Sequence, residues 1–239
     1  MDIALIGYGK MGKAIERIAI ERGHDIVCRI NSANRNEFES EAFRKADVAI
    51  EFTTPLSAFD NCKRCFESGV PVVSGTTGWL ERMEELKKIC DEKNAAFFYS
   101  SNFSIGVNIF FALNRYLAKI MNRFGEYDVS MKEIHHIHKL DHPSGTAITL
   151  AHDIIDNVDR KKSWSEESAG EDVVNIVSER VGEVPGTHIV NYVSSVDAIR
   201  IEHEAFSREG FAAGAVAAAE WLAGRKGWFT MEDMLDFNV

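Results

Sequence analysis

No apolar run in this 239-residue chain approaches the length needed to span a bilayer, so no membrane partner is expected. Cysteine and proline are scarce, four of each. Cys28, Cys62, Cys65 and Cys90 make no disulfide framework in a chain this long and fit a reducing compartment. Basic residues are in deficit: 27 Lys and Arg against 37 Asp and Glu give a net charge of −10. That is the wrong sign for nucleic acid, whose phosphates call for a net basic face. Met1 runs directly into Asp2 and the short apolar stretch Ile3–Ile6, without the basic and long apolar segments of a secretory leader, and a cytoplasmic location is expected.

What is present is the mixture of an ordinary folded globule, 45% hydrophobic and 27% charged residues. At this length the chain can bury the core of one large domain or of two modest ones. Through the first hundred residues the apolar runs Ile3–Ile6, Ile26–Ile30, Val48–Phe52, Val70–Val73 and Ala95–Tyr99 alternate with the amphipathic stretches Lys10–Arg22, Leu56–Ser68 and Leu80–Lys93. The alternation predicts an α/β, Rossmann-like parallel sheet with right-handed crossovers and a ligand crevice beyond the carboxyl ends of the strands. After Ser104 the pattern changes to a long helix from Ile105 to about Arg123, a strand-like Tyr127–Ile137, and a helix opened by Pro143-Ser144-Gly145-Thr146. A polar loop, Asp159–Asp172, then leads to strand candidates Val173–Val181, His188–Val193 and Ala198–Glu204, and Gly210–Leu222 is helical. The expectation is a second, α+β domain with an open mixed or antiparallel sheet, antiparallel being the simpler account. The boundaries expected are 1–104 with 210–239, and 105–209.

Gly7-Tyr8-Gly9-Lys10-Met11-Gly12 follows a strand and opens a helix. Glycines there allow the tight turn, close approach of a pyrophosphate to the backbone and helix–strand packing, and the helix N-terminus faces the phosphates. This context favours dinucleotide binding over a merely structural turn. The acidic residue that would hold the adenosine ribose after the second strand is missing, and Asn31-Ser32-Ala33-Asn34-Arg35 stands in its place. Asn31 and Ser32 can hydrogen-bond a ribose, and Arg35 can pair with a 2′-phosphate or be a plain surface arginine, so NADH and NADPH both stay open. Phe52-Thr53-Thr54-Pro55, Ser74-Gly75-Thr76-Thr77-Gly78 and Ser100-Ser101-Asn102-Phe103 also follow strands, where small and hydroxyl residues let a nicotinamide approach. Each alone is equally well read as turn or cap chemistry.

The segment His135 to His142 packs four histidines and Lys139 into eight residues and runs into Pro143-Ser144-Gly145-Thr146. Histidine gives up protons near neutral pH, lysine supplies a cation, and a helix start offers free N–H groups to an anion. Two other readings compete. The histidines could bind zinc, although no Cys or second His pair stands at a matching spacing, or they could be a solvated strand face. Cys62-x-x-Cys65 lies in a helical stretch and is expected to be buried packing rather than a redox pair. The aromatic group Phe97, Phe98, Tyr99, Phe103, Phe110 and Phe111 reads as core.

Glu133-x-His135-His136-x-x-Lys139-x-Asp141-x-Pro143-Ser144-Gly145-Thr146-Ala147 resembles the signature of the dihydrodipicolinate reductases, also named 4-hydroxy-tetrahydrodipicolinate reductases. In family order it is joined by the N-terminal glycine loop, Phe52-Thr53-x-Pro55, Gly75-Thr76-Thr77-Gly78 and Asn102-Phe103-Ser104-x-Gly106-Val107-Asn108. Downstream, Arg180-x-Gly182, Gly186-x-His188, His203, Gly214-Ala215 and Trp221-Leu222 extend the likeness over nearly the whole chain. The resemblance implies reduction of a small cyclic imine dicarboxylate by NADH or NADPH in lysine and diaminopimelate biosynthesis. By the resemblance Gly7 to Gly12, Gly75, Thr76, Thr77, Ser100, Ser101, Asn102 and Phe103 would hold the cofactor; the residues themselves add Asn31, Ser32 and Thr53, and no metal is expected. His135 would be the proton donor and Lys139 a second donor or carboxylate-binding cation. His136, Ser144, Gly145 and Thr146 would hold the substrate. The same resemblance implies a homotetramer paired through the second domain's sheet. Two domains hinged near Ser104 and Gly210 are expected to close over cofactor and substrate. The family's frequent Glu-Arg after the second strand is Asn31-Ser32 here, and the basic residue of its Phe-Thr-x-Pro motif is Thr54; both bear on the choice of NADH or NADPH. The alternatives are another Rossmann reductase of imines or oxo acids, and a nucleotide-binding protein without turnover.

Overall fold

The computed structural model describes residues 1–167 and 170–237. They form two compact units, Met1–Ile105 together with the segment from Glu209 onward, and Gly106–Arg208. In the first, β1 (Asp2–Ile6), β2 (Asp25–Ile30), β3 (Val48–Glu51), β4 (Val72–Ser74) and β5 (Ala96–Tyr99) are joined by a late strand, β11 (Gly227–Phe229). All pair in parallel, in the order β11-β5-β4-β3-β1-β2. The helices are α1 (Lys10–Glu21), the short α2 (Glu41–Arg44), α3 (Pro55–Glu67), α4 (Met83–Glu92), α7 (Glu209–Leu222) and α8 (Met231–Leu235).

Successive side chains of a strand point to opposite faces, and Phe97 and Phe98 of β5 show what that does here. Phe97 packs with Phe59, Cys62, Cys65 and Phe66 of α3 and Leu86 of α4, whereas Phe98 packs with Ile15 and Ile18 of α1 and Ala212, Ala215 and Leu222 of α7. The sheet is thereby covered on both sides, and each large apolar side chain taken fully from water contributes about 1.5–3 kcal/mol. Cys62 and Cys65 have no exposed surface, and burial pushes both thiols well up, so they are packing residues. The small residues of α7 let it lie close: a Cβ at Gly214 would stand 1.7 Å from the carbonyl oxygen of Phe103.

The second unit contains α5 (Ile105–Met121), β6 (Asp128–His135), α6 (Gly145–Asn157), β7 (Ser163–Ser165), β8 (Val173–Arg180), β9 (Gly186–Val193) and β10 (Ala198–Ala205). Its sheet, in the order β10-β9-β6-β8-β7, is mixed. β9 is antiparallel to β6 and β10, but β8 is parallel to both β6 and β7. The simpler antiparallel expectation is corrected because the chain leaves β6 through α6 before re-entering the sheet, and such a crossover delivers a parallel neighbour. β7 falls inside the stretch expected to be loop.

On one face of this sheet Val129 and Met131 of β6, Val174 and Ile176 of β8, and Val190 and Tyr192 of β9 pack under Phe110, Ala118 and Met121 of α5 and Leu150, Ala151 and Ile154 of α6. The same parity continues along β6 into Glu133 and His135, both buried. Register sets Glu133 opposite His188 on β9 and His135 opposite Arg180 on β8. The apolar layer thus ends in a polar one.

Candidate active site

In the first unit the loops after β1 to β4 line two clefts that share Gly9, Phe52 and Thr53. The larger, about 430 Å³, gathers Gly7, Gly9, Asn31, Ser32 and Thr53 with Arg35, Ser57 and Asn61, and carries no carboxylate. The smaller, about 340 Å³, gathers Lys10, Met11, Gly12, Gly75, Thr76 and Thr77. Tyr8 and Ser100–Phe103 line neither. The Tyr8 hydroxyl donates to Glu16, which also accepts from Arg29. Phe103 is core, and Ser100 Oγ donates to the carbonyl of Asn102 at 2.7 Å.

The lining suits a dinucleotide. Gly7 sits at φ +95°, and a Cβ there would stand 1.9 Å from the carbonyl oxygen of Phe52. Gly9 caps α1 without a side-chain hydrogen bond and the first turn has no acidic residue, which leaves its N–H groups to an anion. Asn31 Oδ1 accepts from the Ala33 N–H at 2.8 Å, so the amide nitrogen of Asn31 is the end left for a ligand.

Beneath these loops lies Glu51, the last residue of β3 and fully buried. Ser74 Oγ at 2.7 Å, Thr76 Oγ1 at 3.0 Å and Thr53 Oγ1 donate to its carboxylate, while the Thr53 N–H donates to Thr76 Oγ1 at 2.8 Å. Burial pushes this carboxyl up, against the pull of the hydroxyl donors. One acid ties the crevice loops after β3 and β4 together, with their hydroxyl hydrogens turned inward.

In the second unit, Glu133 is fully buried, with Oε1 hydrogen-bonded and Oε2 in close ion-pair contact with His135. Oε1 accepts from the Ser144 N–H at 3.2 Å and from Arg180 at 3.1 Å, and Oε2 lies 2.9 Å from His135 Nδ1. Burial pushes the Glu133 carboxyl up, but the hydrogen bonds from His135 and Ser144 and the charge of His135 outweigh it and hold it well below the usual carboxylate range. His188 is pushed down to about 3 by burial and by His135, so it is neutral. Ser144 caps α6 by accepting from the Ala147 N–H at 3.2 Å, a bond worth about 1 kcal/mol to the helix. The ladder of α6 leaves over the first-turn N–H groups, those of Gly145 and Thr146 among them.

Lys139 Nζ lies 2.9 and 2.8 Å from the two oxygens of Asp141. Arg180 also donates to the carbonyls of Lys139, at 3.3 Å, and Asp141, at 2.6 Å, pinning the Lys139 loop to the strand end. Arg208 lies 2.8 Å from His136 Nε2. Burial, then the charge of Arg208, lowers His136, which accepts at Nε2 and keeps its hydrogen on Nδ1. Glu133, His135 and His188 also bring three potential ligand atoms within 4.8 Å of one another. Arg180 already neutralises that carboxylate, and a dication would compete with the guanidinium, so an ion-paired cluster is the better account.

His135, Lys139, His136, Ser144, Gly145 and Thr146 therefore belong to one strand end, loop and helix start. Four residues at this site had received no role from sequence: Glu133, Arg180, His188 and Arg208. For Glu133 a signal existed, since two-residue alternation along β6 sets it beside His135. Nothing short of the strand order brings Arg180 and His188 there.

The N-terminal dihydrodipicolinate reductase family matches residues 1–103 and the C-terminal one residues 106–235. The 4-hydroxy-tetrahydrodipicolinate reductase of Christiangramia forsetii is 49% identical over 98% of both chains. That of Archaeoglobus fulgidus is 35% identical over 99% of this chain and all of its own. Among solved structures, the dipicolinate-bound dihydrodipicolinate reductase of a Paenisporosarcina species superposes with a TM-score of 0.79 at 21% identity, covering 98% of this chain and 99% of that one, a likeness of fold.

Proposed function

This chain belongs to the dihydrodipicolinate reductase family, and from that premise we propose how its residues carry out the family's reaction. It is an NAD(P)H-dependent oxidoreductase that reduces 4-hydroxy-tetrahydrodipicolinate in lysine and diaminopimelate biosynthesis. The observation that carries the assignment of residues is the adjacency of a buried histidine, a lysine and a capped helix start: His135, Lys139 and Ser144–Thr146.

Loss of the 4-hydroxyl with a ring proton, as water, leaves a conjugated dihydro ring, and to C4 of that ring the reduced nicotinamide, when bound, would supply a hydride. Gly7, Gly9 and the α1 N-terminus bind its pyrophosphate, and Thr53 and Gly75–Thr77 meet its nicotinamide end. His135 gives a proton to the ring as negative charge develops there. Lys139 and the N–H groups of Gly145 and Thr146 hold the carboxylate through which that charge is stabilised, with His136 beside them. Dipicolinate, the molecule bound in the Paenisporosarcina homologue, is a planar dicarboxylate and serves as probe. Calorimetric titration is expected to show that Lys139→Ala and Gly145→Pro each weaken its binding by about tenfold. Proline is tolerated at the first helical position, so the second variant removes one N–H and spares the helix. Wild-type affinity in both would remove this helix start and Lys139 from the dicarboxylate site.

The larger cleft, with Ser32 and Arg35 and without an acid, supports acceptance of NADPH as well as NADH. Arg35→Ala is expected to raise the KM for NADPH by about tenfold and leave that for NADH within about twofold, as loss of a phosphate pair would. Equal effects on both would take the 2′-phosphate away from Arg35.

Self-association as a homotetramer through the second unit's sheet is supported by its face opposite α5 and α6, where Val177 is 45% and Val193 47% exposed. Light scattering is expected to give four times the chain mass; a monomer's mass would end this part of the proposal.

A further inference from the structure

We propose that Glu133 is the positioning residue of the proton donor, holding His135 by its Nδ1–H so that Nε2 is the atom that delivers the proton. This rests on His135 being that donor. The argument begins with β6, whose alternation puts residues 133 and 135 on one face. Oε2 of Glu133 then meets Nδ1 of His135 at 2.9 Å. An ionised carboxylate only accepts hydrogen bonds, so the nitrogen facing it must carry the hydrogen, and the other nitrogen is left for chemistry.

The carboxylate cannot swing to another partner. Its second oxygen is held by the Ser144 N–H and by Arg180, which come from two different elements. The ring is confined too. Gly186 lies against it, and a Cβ there would stand 3.0 Å from His135 Nε2 and 3.2 Å from Cδ2. His188 closes another side edge-on, with ring centroids 5.1 Å apart and planes at 72°.

His188 does not compete for the role. Ser144 Oγ, which accepts from Ala147, lies 3.1 Å from His188 Nε2 and occupies that nitrogen. His188 is neutral, and its Nε2 stands 3.9 Å from Glu133 Oε2, beyond hydrogen-bond reach. Through Arg180 the same carboxylate is linked to the backbone carbonyls of Lys139 and Asp141. One buried acid thus sets the ring of the donor and the loop of the cation in register.

The test is the imidazole nitrogen spectrum of the full-length protein, with His135 assigned by comparison with His135→Asn. The neutral ring is expected as the Nδ1–H tautomer in wild type and to lose that preference in Glu133→Gln. In that variant kcat is expected to fall on the order of a hundredfold, with cofactor affinity changed less than about twofold. An Nε2–H tautomer in wild type overturns the proposal, and needs no foldable Glu133 variant to be seen. So does a folded Glu133→Gln protein with wild-type kcat and tautomer. Wild-type turnover in His135→Ala would instead remove the donor reading and the proposal with it, whereas an impaired His135→Ala beside an Nε2–H ring removes the proposal alone.

Discussion

His135→Ala is expected to lower kcat by about 10²- to 10⁴-fold, the range in which a positioned proton donor contributes. NADH and NADPH affinities should hold, because the glycine loop and crevice hydroxyls belong to the other compact unit. Lys139→Ala should behave differently. Its ammonium meets the substrate before and during reaction, so KM rises and kcat falls together, by about tenfold or more in kcat/KM for each 1.4 kcal/mol lost. Initial rates across substrate concentration, with cofactor Kd measured separately by fluorescence, distinguish the two patterns. A His135→Ala enzyme that loses only cofactor affinity would contradict the assignment.

Gly7→Ala is expected to be the most damaging single methyl in the first unit. The new Cβ would meet the Phe52 carbonyl oxygen at 1.9 Å, and φ is +95°, where a side chain is strained. Either β1 and β3 separate at their carboxyl ends or the loop refolds, and both move the pyrophosphate cradle. Affinity for NADH should fall by more than about tenfold, and the melting temperature by several degrees. Gly9→Ala is the internal control, because its Cβ would enter open space with nothing within 4 Å. It should fold with near-wild-type stability. If the two variants melt alike, the close approach at Gly7 is not what the loop depends on.

The parallel sheet could be read from the sequence because its strands are continuous apolar runs separated by helix-period stretches, as a sheet covered on both faces requires. β11 could not: Gly227-Trp228-Phe229 is three residues long and pairs with β5 across more than a hundred positions of chain. Local pattern is blind to such a partner. For the same reason β8 read as a strand but not as a parallel one. At the site, His135, Lys139 and the Ser144 cap were legible because they are adjacent in sequence and their chemistry is distinctive. Glu51 was not, since a carboxylate inside the run Val48–Phe52 gives no sign of its burial until the hydroxyls of Thr53, Ser74 and Thr76 converge on it. Arg180 and His188 entered the sequence reading only within the family likeness. Their register with His135 and Glu133 is a property of the sheet.

The most direct test is oxidation of NADH and of NADPH, followed by absorbance, with the product of a dihydrodipicolinate synthase reaction as substrate, in wild type and in His135→Ala and Lys139→Ala. The account predicts rapid oxidation by wild type and a loss of orders of magnitude in both variants with cofactor binding intact. Undiminished oxidation in the two variants would contradict it.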